Sequence, residues 1–223
     1  MRKGRLTQAL AAAFIACGML DAAAIAASAP PLDGTQILAR AGGAHDFVSY
    51  TVPVDFRVKT HSIIGTTHVA GTVYFKAPEQ AALVITKAPP IIGGFFRGTY
   101  NIDLVPQSWP PKYRVRSVSR DVQSGAAVYV LHAVPANGGD VDSVLFTVTA
   151  AACAPVAATW LYHDGSRIDL TFADRLVQGD QLPAAATIAV NMPKYKIEAS
   201  ATYGTYAFNV PIDDAVFAVT NGR

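Results

Sequence analysis

His163, Asp164 and Ser166 fall within the stretch WLYHDGS, residues 160–166. An imidazole, a carboxylate and a hydroxyl are the parts of a nucleophilic hydrolase. There the base takes the hydroxyl proton and the carboxylate orients the base. On a hydrolase sheet the nucleophile sits at a sharp strand-to-helix turn within G-x-S-x-G. The chain contains no such stretch. Asp-Gly between two alternating apolar runs is instead a hairpin signal. With 163–165 as a three-residue loop and Gly165 left-handed, Tyr162 faces Ser166 and Trp160 faces Ile168. Trp160, Tyr162, Ile168, Leu170 and Phe172 then share one face, and Leu161, Arg167, Asp169 and Thr171 the other. A two-residue loop would set Trp160 against Asp169 and mix the faces.

Other reactive side chains are scattered. His45, His61, His68 and His132 stand singly, and none has metal-ligand spacing. His61 and His68 lie near one hairpin, but no third ligand accompanies them, so no metal is expected. Gly42-Gly43 and Gly138-Gly139 mark turns rather than a phosphate loop, and no cofactor is expected. Asp213 and Asp214 follow a proline and are placed to cap a last helical turn carrying Val216 and Phe217.

The elements that position these residues are strands. Val48, Tyr50, Val52 and Val54 alternate, and Phe56 and Val58 continue the parity. Pro53 within that run predicts an edge position or a bulge. Further strands are predicted over 69–76, 82–86, 114–118, 126–133, 141–149, 155–162, 167–172, 186–191, 194–201 and 206–210. Spacing of this kind predicts a mainly β chain: a single antiparallel sheet of about ten strands, with a few short helices. Asp33 is placed to cap one helix, with Ile37, Leu38 and Ala41 on its inner face. The segment PPIIGGFFRG, residues 89–98, pairs Ile91 with Phe95 and Ile92 with Phe96 at helical spacing. It reads as an apolar lid over a cavity or as a plug in the core. Residues 105–111 hold three prolines and are expected to form an irregular loop.

Bulk properties narrow the function. Residues 1–29 open with Arg2, Lys3 and Arg5, continue apolar, and end in two A-x-A sites. That pattern predicts a secretory signal peptide cleaved near 26–29, one domain over 30–223, and a periplasmic location. A poor lipobox ending at Cys17 offers a membrane tether as the lesser alternative. Removing 1–29 leaves 15 Lys and Arg against 15 Asp and Glu. The balance speaks against nucleic acid as a partner. Only Cys153 then remains, so no internal disulfide can form, and it reads as a small buried apolar residue. Charged residues make up 15% of the chain, against about 25% in typical soluble domains. So apolar a chain has a large core or keeps apolar surface for a ligand.

Four stretches carry a resemblance: GTVYFKAP (71–78), VYVL (128–131), WLYHDGSRI (160–168) and YGTYAFNVPI (203–212), the last followed by Val216-Phe217. In this order they resemble the LolA/LolB-like group of exported lipoprotein-sorting proteins, with the RseB-type sensors as relatives. The resemblance implies a curved, incomplete antiparallel barrel with lid helices and no catalytic residues. It implies a lipid or an acylated lipoprotein as ligand, and envelope transport proteins as further partners of a monomer. Arg57 and Arg97 are both candidates for the arginine that LolA carriers hold near the cavity mouth, and neither is carried over. On this reading Trp160, Tyr162, Ile168, Leu170 and Phe172 are cavity wall, and Ile91, Ile92, Phe95 and Phe96 are lid. The alternative is a structural or protein-interaction module of the envelope that buries the same face against its own helices.

Overall fold

A computed structural model describes residues 32–43, 47–60, 65–89, 98–101, 105–193 and 195–218. The first strands are β1 (Ser49–Thr60), β2 (Gly65–Lys76), β3 (Gln80–Lys87) and β4 (Gly98–Asn101). Next come β5 (Tyr113–Gln123), β6 (Ala126–Pro135), β7 (Val141–Thr149) and β8 (Pro155–Tyr162). The last are β9 (Arg167–Val177), β10 (Asp180–Met192), β11 (Tyr195–Tyr203) and the short β12 (Ala207–Phe208). They form one open antiparallel sheet in the order β4-β3-β2-β1-β11-β10-β9-β8-β7-β6-β5, with β12 beside β1. Most neighbours are joined by hairpins. The exception is the seam between β1 and β11, where Val54 lies opposite Tyr203.

Period-two alternation decides which face is dry. In β1, Val52, Val54, Phe56 and Val58 are buried while Pro53, Asp55, Arg57 and Lys59 are exposed. The buried set faces the concave side, where residues from most strands form one apolar core. Pro53 lies not at an edge but in an interior strand. Its place is made by a break in the neighbouring ladder: β11 stops at Tyr203, the Gly204 amide donates to the Pro53 carbonyl over 2.8 Å, and β12 resumes opposite Thr51.

Two helical pieces lie on the concave face. Helix α1 (Gly34–Gly42) starts at Asp33, whose carboxylate accepts from the Gln36 amide over 2.8 Å. The Gln36 side-chain oxygen accepts in turn from the Asp33 amide over 3.1 Å, completing a capping box. Ile37, Leu38 and Ala41 are buried, as the spacing predicts. A Cβ at Gly34 would overlap the Val115 side chain, so α1 begins directly against β5. The expected irregular loop at 105–111 is instead ordered helix. A 3-10 turn, Pro106–Ser108, leads into α2 (Trp109–Lys112). Prolines fit there because they occupy first-turn positions, whose amides lack intrahelical partners in any case. The turn delivers Trp109, fully buried, onto Phe146 at 4.3 Å between ring centroids.

Candidate functional site

The stretch 160–166 forms the β8–β9 turn. Trp160 pairs with Ile168, and Gly165 has φ of +82°, so the loop is the three-residue one with its left-handed glycine. The Tyr162 amide donates to the Ser166 carbonyl over 3.0 Å, and the Gly165 amide to the Tyr162 carbonyl over 3.0 Å. Asp164 accepts from the Ser166 amide over 2.8 Å, and this bond, with one from the Ser166 side chain, holds its carboxyl below the usual range. The imidazole of His163 points elsewhere: its Nδ1 is 3.5 Å from Asp142. The His163 imidazole is therefore turned away from Ser166, whose hydroxyl is bonded to Asp164, and the three side chains do not form a nucleophile–base–carboxylate relay. Among the described residues no group of three His, Cys, Asp or Glu is placed to hold a metal. Cys153 is buried, which pushes its thiol up.

Cross-strand register turns the concave face into apolar rows. One row runs Trp160, Ile168, Val190, Ile197 across β8 to β11. The next runs Ala158, Leu170, Ile188, Ala199, Val58. A third runs Phe172, Ala186, Ala201, Phe56, Val69. Burial is uneven along them. Trp160 and Leu170 are core residues, 2% and 1% exposed, and the Trp160 indole lies edge-on to Phe146 and Trp109. Tyr162, Ile168 and Phe172 are half-buried. So are Ile188, Val190, Ile197 and Ala199. Ile168 and these four form a contiguous apolar strip across three strands, and this strip is the candidate site.

Of the wall residues expected from sequence, Ile168 lies in the strip, Phe172 and Tyr162 lie beside it, and Trp160 and Leu170 are the buried members of the same cross-strand rows. The expected lid residues Ile91, Ile92, Phe95 and Phe96 lie outside the described residues. The β10 and β11 members were not anticipated. Their signal was present as alternation in 186–191 and 194–201, but joining them to Ile168 requires the strand register.

One ionisable group shares the β9 parity of Leu170 and Phe172. Asp174 Oδ1 is buried without a partner among the described residues, and burial pushes its carboxyl up to about 6. Burial foremost, then the Asp174 charge, raises the Tyr203 phenol. Tyr206 lies nearby, donates to the Pro183 carbonyl over 2.8 Å and carries the Arg175 guanidinium over its ring. The opposite face of the sheet is polar. Its groove of about 570 Å³ is lined by residues such as Arg57, Lys59, Thr171, Thr187 and Glu198. There Asp169 is held by two 2.7 Å bonds from Arg167 and one from Thr159.

An open antiparallel sheet with an apolar concave face and a short helical layer defines a class, and solved structures share it. A LolA superfamily protein from Nitrosomonas europaea superposes with a TM-score of 0.64 at 14% identity, over 84% of this chain and 98% of that one. A DUF1329 family protein from Desulfovibrio piger gives 0.60 at 10% identity, over 82% and 95%. An outer-membrane lipoprotein-sorting protein domain from Vibrio parahaemolyticus gives 0.54 at 12% identity, over 76% and 89%. The fold of this chain is LolA-like. No protein-family model matches the chain, and no curated protein is similar to it in sequence. No helix among the described residues is long and apolar enough to cross a membrane.

Proposed function

We propose that the protein is an exported, non-enzymatic carrier or receptor that binds a lipid or lipoprotein acyl chain along the concave strip. The observation that carries this reading is the strip itself. Ile168, Ile188, Val190, Ile197 and Ala199 stand side by side and half-buried on the face that elsewhere is core. An acyl chain laid there removes apolar surface from water, worth about 25 cal/mol per Å² before ordering costs. The likeness in fold to a lipoprotein-sorting protein domain supports the ligand class. The basic and apolar start of the chain supports export by a signal peptide and a periplasmic site of action.

Purification of the full chain from its own envelope without detergent, followed by native mass spectrometry, tests the reading. Bound lipid or acylated peptide is expected. A chain free of both, which also fails to take up a fluorescent long-chain fatty acid, would leave the envelope interaction module in its place.

A further inference from the structure

The sheet has two ends, and they differ. β4 is four residues long and carries no charge. β5 is eleven residues long, pairs with β6 on one side, and among the described residues has no strand on the other. From Arg116 to Gln123 every residue is exposed, whichever way its side chain points. Val118 and Val122 are among them, at 38% and 67% exposure. An edge of this length presents a row of backbone donors and acceptors, of which the Val122 amide is already bonded to the Asp121 carboxylate.

Charge along the edge has one dominant sign. Arg114, Arg116 and Arg120 stand on β5 against a single acid, Asp121. Asp121 is exposed and accepts from the Val122 amide over 2.7 Å. Asp33, at the start of the helix that packs on β5, is held in its capping box. Arg120 is anchored to Tyr129, donating to its phenol oxygen over 3.1 Å with the guanidinium over the ring. Arg114 and Arg116 form no ion pair among the described residues. Arg116 is the extra residue of a bulge between Val115 and Ser117.

Cations and a bulge are the usual guards of an edge strand. Here they also choose a partner. A second copy of β5 would bring three arginines against three arginines and is repelled. An acidic strand meets the same arginines with attraction, while its backbone completes the ladder. Beyond the bulge, pairing with β6 is regular from Ser117 to Gln123, so this part of the edge keeps an even register for an added strand, with Arg114 and Arg116 at its approach. We propose that β5 is a docking edge for an extended acidic segment of a partner protein, added as a twelfth strand in line.

The test uses the full chain and two labelled synthetic octapeptides, one alternating Val with Glu and one alternating Val with Lys, followed by fluorescence anisotropy. The acidic peptide is expected to bind at least tenfold tighter, and to weaken in 0.5 M salt as exposed charges are screened (about 3 Å Debye length at 1 M). Amide hydrogen exchange should show new protection in β5 alone. Arg114→Glu with Arg116→Glu should reverse the preference. Each single change gives the same reading should the pair fail to fold, because both side chains are exposed and neither forms an ion pair among the described residues. Equal binding of both peptides, no binding of either, or protection outside β5 overturns the proposal.

Discussion

The indole Nε1 of Trp160 donates to the phenolic oxygen of Tyr113 over 2.9 Å, both side chains buried, and so ties β8 to the edge strand β5 across the core. Neither sheet pairing nor chain proximity brings these residues together, because β7 and β6 lie between their strands. The bond holds the edge of the sheet over Phe146, whose ring lies 5.2 Å from Tyr113. Tyr113→Phe removes the acceptor and leaves the indole N–H buried. We expect a loss of about 1–3 kcal/mol, read from the urea midpoint with an unchanged slope. A change under 0.5 kcal/mol would mean that water replaces the phenol.

Gly165 holds φ of +82° at the β8–β9 turn. Space is not the constraint there, since an added Cβ would touch nothing within 4 Å. Gly165→Ala therefore isolates backbone strain, expected at about 1–2 kcal/mol, while Gly165→Asn recovers part of it. Thermal melts of the two variants check this ordering. Equal melting temperatures for both would show that the turn relaxes to another type.

Asp174 carries a carboxyl raised to about 6 by burial, against an ordinary value of 3.8. The folded chain thus keeps a proton that the unfolded chain has released between about pH 4 and 6. Stability falls as pH rises through that window and is flat above it. Partial exposure screens the effect, so Asp174→Asn should gain no more than about 1–2 kcal/mol at pH 7. The gain should vanish below about pH 4. Denaturation curves of both proteins across pH 3.5–8 decide it, and a gain that persists at low pH would assign the effect to packing instead.

Ile188 and Ile197 lie in the strip, and Thr187 faces the other way on β10. Ile188→Asp or Ile197→Asp should weaken uptake of a fluorescent long-chain fatty acid at least tenfold. Thr187→Asp should leave it unchanged. Because the two isoleucines are only half-buried, circular dichroism should still report a folded sheet. Uptake that survives both strip variants would place the acyl chain elsewhere.

Local chemistry was legible, and long-range partnership was not. Asp33 and Asp213 could be read as caps because the bond each makes is to an amide a few residues on. The 160–172 hairpin was legible because one glycine and one parity decide it. Residues 173–185 fall between two predicted strands, 167–172 and 186–191, and Asp174, Arg175 and Pro183 lie in that gap. They are in fact the ends of β9 and β10, joined by a turn at Gln178 and Gly179, with Pro183 beside a bulge. Trp109 was hidden by its prolines. The β1–β11 seam has no local signal at all, for it depends on residues some 150 positions apart.

That seam has a consequence for how the molecule comes into being. β2 to β4 can zip onto β1, and β5 to β10 onto one another, by successive hairpins. The two half-sheets become one only when β11, last of the long strands, enters beside β1. An emerging chain therefore carries its N-terminal half with one flank of β1 bare until nearly all of its length is free. Such a flank is sticky, and the slow closing step favours a chain kept unfolded until it is released whole. Removing β11 should not trim the protein but part it, leaving two ribbons that no backbone ladder joins.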